Sequence, residues 1–248
     1  MRMLRQLSVL LVREVSALFL SPISYAVLTV VLLINGYAFF LSVIGANGNI
    51  ATTLRLFFGG NFLFWVVMLF VPPLFTMRLF ADERRSGTLE MLLTAPVGET
   101  EVVLAKFLAG LLFYLSLWLP SVFYLAILKS YGAIPELGPL LCCYLGILLI
   151  GSLFTAAGLF ASSLTANQIL AAVIATSCNL LLFFVPLLSQ FTGIERVERL
   201  FQELWIYQHF NDSFSKGLLD SGHIVFYLVG ILVFLFWTMR SLESQRWR

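Results

Sequence analysis

Six long apolar stretches limit what this chain can fold into. Each approaches the roughly 20 residues that a helix needs to cross the hydrocarbon core of a bilayer. The stretches are 22–44, 57–77, 107–128, 140–160, 169–188 and 224–239. The last is short and extends to 223–240 when Arg240, whose long side chain can reach the interface, is included. None of the six contains Asp, Glu, Lys or Arg before that extension. Because a bilayer core offers backbone groups no hydrogen-bond partners, the pattern predicts an all-α membrane protein with six transmembrane helices.

The composition supports a membrane protein and excludes several other classes. Hydrophobic residues make up 60% of the chain and charged residues only 11%, whereas about 25% of a soluble domain is charged. A net charge of +2 gives no reason to expect a nucleic-acid partner. The three cysteines, Cys142, Cys143 and Cys178, lie inside apolar stretches, so we expect buried free thiols and no metal site.

The distribution of Lys and Arg predicts the orientation. With a cytoplasmic amino terminus, the inner segments carry ten of these residues and the outer segments five. The positive-inside rule therefore favours both termini in the cytoplasm, in a multi-pass protein of the inner (cytoplasmic) membrane. Arginines flank the first apolar residues and no small-residue cleavage site follows, so we expect no cleaved leader.

Residues 1–19 are predicted to form an interfacial amphipathic helix. Apolar residues recur along it at helical spacing, and the charged residues lie mostly off that stripe. The charged residues considered for a functional role are Arg2, Arg5, Arg13 and Glu14. A simple membrane anchor and a mechanical element are both compatible with this pattern.

The outer segment 191–222 is the longest polar stretch. Ile194, Val197, Leu200, Phe201 and Leu204 fall at helical spacing and predict an amphipathic helix that rests on the outer membrane face. The chain's two histidines, in and just after this segment, are expected at the surface, although a metal or catalytic role is conceivable for such residues. They are His209 and His223.

The turn 79–97, "LFADERRSGTLEMLLTAPV", concentrates charge between the second and third spans. The hydroxyls around Gly87 predict a helix start, and Pro96 predicts its end. The intervening leucines group on one face. Exposed leucines with a charged rim suggest a docking surface for a soluble partner, and the alternative is a helix that lies on lipid.

The stretch "ERRSGTLEMLLTAPV" resembles the segment after the second span of ABC-2 type transporter permeases, the membrane subunits of ATP-binding-cassette exporters. The carboxyl-terminal "HFNDSFSKGLLDSGHIVFYLVGILVFLFWTMRSLESQRWR" is similar to the gliding-motility branch of that family, except that Asn211 stands where a carboxylate is expected. The resemblance implies a second permease subunit, in a homodimer or heterodimer, and a dimer of cytosolic ATPase subunits that bind ATP and Mg. It also implies that 82–94 is a coupling helix seated in the ATPase and that 1–19 is a gate helix. The implied coupling residues are Asp82, Glu83, Arg84, Arg85, Ser86, Gly87, Thr88, Leu89, Glu90, Leu92 and Leu93.

The absence of certain sequence patterns also indicates that this chain depends on a partner. There is no GxxxxGK[ST] phosphate-binding pattern and no charged residue within the spans, so we expect no cofactor, no catalytic site and no ion coupling in this chain. The energy would come from a partner. With 24 Phe and 5 Trp, the spans suit a hydrophobic or amphipathic substrate and contact with membrane lipid. The alternatives are a non-transporting scaffold that docks an ATPase and, less compatible with the residues, an intramembrane enzyme.

Overall fold

A computed structural model of the protein describes residues 2–88, 98–132, 136–188 and 204–246. Regular structure in these ranges is entirely helical, which confirms the predicted all-α class. The longer helices are α1 (Arg2–Phe19), α2 (Pro22–Gly45), α3 (Ile50–Arg55), α4 (Phe62–Thr76), α5 (Ala81–Ser86), α6 (Glu99–Trp118), α7 (Ser121–Ser130), α8 (Leu137–Leu164), α9 (Gln168–Leu188) and α10 (Ser221–Arg246). A π-helical turn, Leu56–Gly60, joins α3 to α4.

Five helical segments are long and apolar enough to cross a membrane. They are Pro22–Gly45, Ile50–Ser86, Glu99–Ser130, Leu137–Leu164 and Ser221–Ser244. The remaining predicted span, 169–188, corresponds to α9, whose apolar part Gln168–Phe184 is shorter than the other five. The chain is therefore a multi-pass membrane protein, and the sixth crossing and the position of the termini stay predictions.

Helix α8 lies at the centre of the bundle and packs against α4, α6, α9 and α10. Its small residues allow this close approach, since Ser152, Ala156, Ala157 and Ala161 are all almost completely buried. A side chain at Gly151 would collide with the ring of Tyr114 on α6. These small residues give α8 a tight packing face at the centre of the bundle.

Proline breaks only one of the spans that contain it. The third span divides at Pro120 into α6 and α7, because proline has no backbone N–H to donate to the preceding turn. In α4 the helix continues through Pro72 and Pro73, and the hydroxyl of Thr76 donates to the carbonyl that Pro72 presents, at 2.8 Å.

The end of the outer segment enters the bundle. Three consecutive helical turns, Ile206–Gln208, His209–Ser213 and Phe214–Lys216, form what we call the inserted segment. Ile206, Phe210 and Phe214 are fully buried, and their apolar surface explains the insertion. The sequence did not predict this insertion, since the amphipathic pattern covers only the preceding residues. The predicted amphipathic helix around 194–201 lies outside the described residues.

Candidate coupling site

Helices α1, α5 and α6 meet at one end of the bundle, next to the turn between α8 and α9. We call this the α5 end. Helix α1 packs along α6, with Leu18 buried and Leu11 and Val15 partly buried against the core. The apolar stripe predicted for this helix therefore faces protein, which makes α1 part of the bundle's packing.

Four charged side chains form a network at the α5 end. The Lys106 ammonium lies 3.0 Å from the Glu14 carboxylate and 2.9 Å from the Glu83 carboxylate. The Arg13 guanidinium lies 2.6 Å from Glu14 and 3.2 Å from Glu83. The hydrogen bond to Glu14, together with the charges of both carboxylates, raises the pKa of Arg13 despite its partial burial. Two cations and two anions leave the network neutral, which offsets part of the cost of burying Lys106 and Glu14.

Lys106 occupies the centre of this network, and its side chain is only 2% exposed. The sequence identified it only as one of the inner positive residues. The available signal was its position well inside the third apolar helix, where an unpaired ammonium would be costly. Of the α1 residues considered for a functional role, Arg13 and Glu14 make ion pairs within the protein. The side chains of Arg2 and Arg5 lie outside the described residues.

Three residues predicted to couple to a partner make contacts within the chain. Glu83 belongs to the network, Asp82 accepts a hydrogen bond from the Gln168 amide, and the Arg84 guanidinium donates to the Ser163 carbonyl at 3.2 Å. Together they fasten α5 to α1, to α6 and to the turn between α8 and α9.

Helix α5 ends at Ser86, directly before the predicted helix start, and Thr88, the last described residue of this turn, is already helical. The Ser86 hydroxyl donates to the Asp82 carbonyl at 2.9 Å, one turn back, and Gly87 adopts a left-handed φ of 73°. A left-handed glycine ends a helix, so 82–94 is not one continuous coupling helix. Leu89, Glu90, Leu92 and Leu93 lie outside the described residues.

The tip of this turn is open to a partner. Arg85, Ser86, Gly87 and Thr88 are all exposed. The Ser86 and Thr88 hydroxyls bond each other at 2.8 Å, which holds the tip in a defined shape. A side chain at Gly87 would meet nothing within 4 Å. The α5 end therefore combines a fastened base with a free tip.

The histidines at the opposite end are not both surface residues. His209 is 2% exposed, and its ring stacks on that of His223 with centroids 3.9 Å apart. The Tyr227 hydroxyl lies 3.4 Å from His209 Nδ1. Parallel stacked rings direct their nitrogens sideways rather than toward a common point, so this pair has the geometry of packing. Asn211 donates to the Tyr207 carbonyl at 3.1 Å and thereby stabilises the inserted segment.

An aromatic groove of about 530 Å³ opens between α4, α9 and the inserted segment. Trp65, Phe183 and Tyr207 line it, and the Trp65 indole donates to the Gly59 carbonyl at 2.8 Å. The ring of Trp65 contacts both of the other two rings. Such a surface suits apolar or aromatic groups.

Comparison with known proteins identifies a relationship over most of the chain. The sequence model of the family described as "ABC-2 family transporter protein" matches residues 34–207. This range runs from the middle of α2 through α9 into the inserted segment, and so includes α5, Lys106 and the aromatic groove. No curated protein matches the chain significantly.

Proposed function

Because this chain belongs to the ABC-2 family of transporter proteins, we propose that it is the permease subunit of an exporter in the cytoplasmic membrane. Membership makes it a membrane component of an ABC transporter and implies association with an ABC ATPase subunit. The proposal adds that two permease subunits form the pathway and that the substrate is hydrophobic or amphipathic. ATP and Mg bind to the partner ATPase.

The fastened base and free tip of the α5 end carry this proposal. A force applied at Arg85 or beyond passes into α5, and Glu83 transmits it through Lys106 to α6 and Glu14. Breaking a buried ion pair costs far more free energy than breaking an exposed one, so the contacts of Lys106 would hold these helices together under load. The ATPase would therefore shift α1, α5 and α6 as one unit.

The aromatic groove supports the proposed substrate class. Its principal walls, α4 and α9, pack against each other, so a relative shift of the two helices changes its width. A groove lined by Trp65, Phe183 and Tyr207 accepts apolar or aromatic groups without the cost of desolvating a charge.

Reconstitution tests the proposal. The permease is purified together with its partner ABC ATPase, and the complex is placed in proteoliposomes. A fluorescent phospholipid and a cationic amphipathic dye serve as transport probes. We expect ATP-dependent movement of at least one probe, and loss of both movement and copurification with Leu92→Asp. The control is Leu219→Asp, which alters an exposed leucine at the opposite end of the bundle, just before α10.

The alternatives predict other results. A scaffold would retain the ATPase and hydrolyse ATP while moving no probe and showing no probe-stimulated hydrolysis. An intramembrane enzyme would modify a probe without any ATPase. Retention of the ATPase by Leu92→Asp, with full transport, would reject the assignment of the coupling surface.

A further inference from the structure

A second cavity, of about 310 Å³, lies between α1, α2 and the inner part of α4. Most of its wall is apolar, including Leu18, Val27 and Phe75. Arg78 and Glu83 also line it. The volume is near the lower limit for a ligand site, so it fits a polar headgroup and not a whole lipid.

Arg78 brings to this cavity a guanidinium whose hydrogen-bond donors are only partly used. Its Nη1 donates to the Ser21 hydroxyl at 2.7 Å, while its Nε is buried without a hydrogen-bond partner. Within the described residues no carboxylate forms an ion pair with Arg78. A guanidinium in this state favours an anion with several acceptor oxygens, and phosphate matches its planar donors.

Glu83 brings an unused acceptor to the same cavity. Its Oε1 receives Lys106 at 2.9 Å and Arg13 at 3.2 Å. Its Oε2 is buried without a hydrogen-bond partner among the described residues. A buried carboxylate oxygen without a partner favours a hydrogen-bond donor. An ammonium group supplies both the donor and a positive charge.

The cavity lies beside surface that would face lipid. Ile23 and Leu74, both on its wall, are 40% and 41% exposed, and they belong to the membrane-spanning segments of α2 and α4. Acyl chains can therefore lie over these two residues while a headgroup enters between them. A free polar metabolite would gain nothing from that apolar surface.

We propose that this cavity binds the headgroup of a zwitterionic phospholipid, with its phosphate on Arg78 and its ammonium on Glu83. A purely anionic lipid would satisfy Arg78 and leave Glu83 Oε2 without a hydrogen-bond donor. The bound lipid would contact α1, α2 and α4 together, beside the ion network that fastens α5. The inference does not depend on the proposed export function.

Lipid binding to the purified full-length permease tests this site. Native mass spectrometry compares dioleoyl phosphatidylethanolamine, dioleoyl phosphatidylglycerol and free phosphoethanolamine. The wild type should bind the ethanolamine lipid most tightly and free phosphoethanolamine only weakly. Arg78→Gln should weaken binding of the ethanolamine lipid about tenfold or more, since a charge-assisted hydrogen bond is lost.

Matched variants separate the two halves of the headgroup. Glu83→Gln should abolish the preference for the ethanolamine lipid over the glycerol lipid, and Arg55→Gln, at the other end of the bundle, should change nothing. If Glu83→Gln does not fold, Ile23→Trp closes the cavity mouth without removing a charge and should also reduce binding. Unchanged binding by Arg78→Gln overturns the proposal. So does equal or tighter wild-type binding of the glycerol lipid, which indicates an anionic lipid site, or of phosphoethanolamine, which indicates a metabolite site.

Discussion

The Lys106 ammonium lies 2.9 Å from the Glu83 carboxylate and so joins α6 to α5, two helices that residues 87–98 separate in the sequence. Glu83 lies on α5, just before the exposed tip, and Lys106 lies inside α6. The same ammonium also holds Glu14 of α1 at 3.0 Å. One buried cation thus connects the three elements that a partner at the tip would have to move.

Removing this cation should destabilise the protein more than removing an exposed one. Lys106→Met leaves two carboxylates poorly compensated at a mostly buried site, so we expect a loss of about 3–5 kcal/mol. Lys216→Met breaks an exposed pair with Asp212 and should cost about 0–1 kcal/mol. Thermal unfolding in detergent, followed by tryptophan fluorescence, measures both. Adding Glu14→Gln and Glu83→Gln to Lys106→Met should recover part of the loss, and equal losses for the two lysine variants would contradict a structural role for the network.

The spans could be predicted because the bilayer imposes their length and their lack of charge. The predicted span 22–44 corresponds to the helix Pro22–Gly45, and the predicted span 140–160 lies within the helix Leu137–Leu164. The ion network could not be predicted, since Glu14 and Lys106 lie 92 residues apart in the sequence and no local pattern pairs them. The inserted segment was missed because aromatic residues mixed with polar ones are typical of both an interfacial helix and a buried turn.

The stretch Ser86–Gly87–Thr88 shows why the coupling turn was only partly predictable. A serine hydroxyl can cap the start of a following helix or bond back to the preceding one. Ser86 bonds back to Asp82, and Gly87 takes the left-handed conformation typical of a helix end. These two residues therefore end α5, while Thr88 is already helical, so one helix ends and another begins within this short stretch.

The close contacts of α8 predict that glycines of the bundle differ in how much stability an alanine substitution costs. Gly151→Ala and Gly158→Ala would drive a methyl group into Tyr114 and Thr76, both fully buried. We expect each to cost about 1–3 kcal/mol, since a packed core resists added volume. Gly36→Ala is the control, because its nearest neighbour lies 3.5 Å away and alanine favours a helix. Melting temperatures compare the three variants, and a Gly151→Ala protein as stable as Gly36→Ala would show that the α8 contacts are looser than described.

The predicted topology can be tested at the two ends of α10. Ser213 is a poor labelling position because it is only 9% exposed, whereas Ser221 and Ser244 are both exposed. In a variant without the native cysteines, an impermeant maleimide should label Ser221→Cys in intact cells. Ser244→Cys should react only after permeabilisation. The opposite pattern would place the α5 end outside and remove it from any cytosolic ATPase.

The neighbouring arginines of α5 should have different roles. Arg84 donates to the Ser163 carbonyl, so Arg84→Ala should lower the stability of the bundle by about 1–3 kcal/mol through loss of a charged hydrogen bond. Arg85 is exposed, and within the described residues no ion pair includes it. Arg85→Ala should therefore leave the melting temperature unchanged and reduce transport per ATP hydrolysed, with little loss of copurifying ATPase, because a rim charge orients a complex more than it holds it. Melting temperature, copurification and the transport-to-hydrolysis ratio are measured for both variants. If Arg85→Ala lowers stability while Arg84→Ala lowers only the transport ratio, the fastened base and the free tip have been assigned the wrong way round.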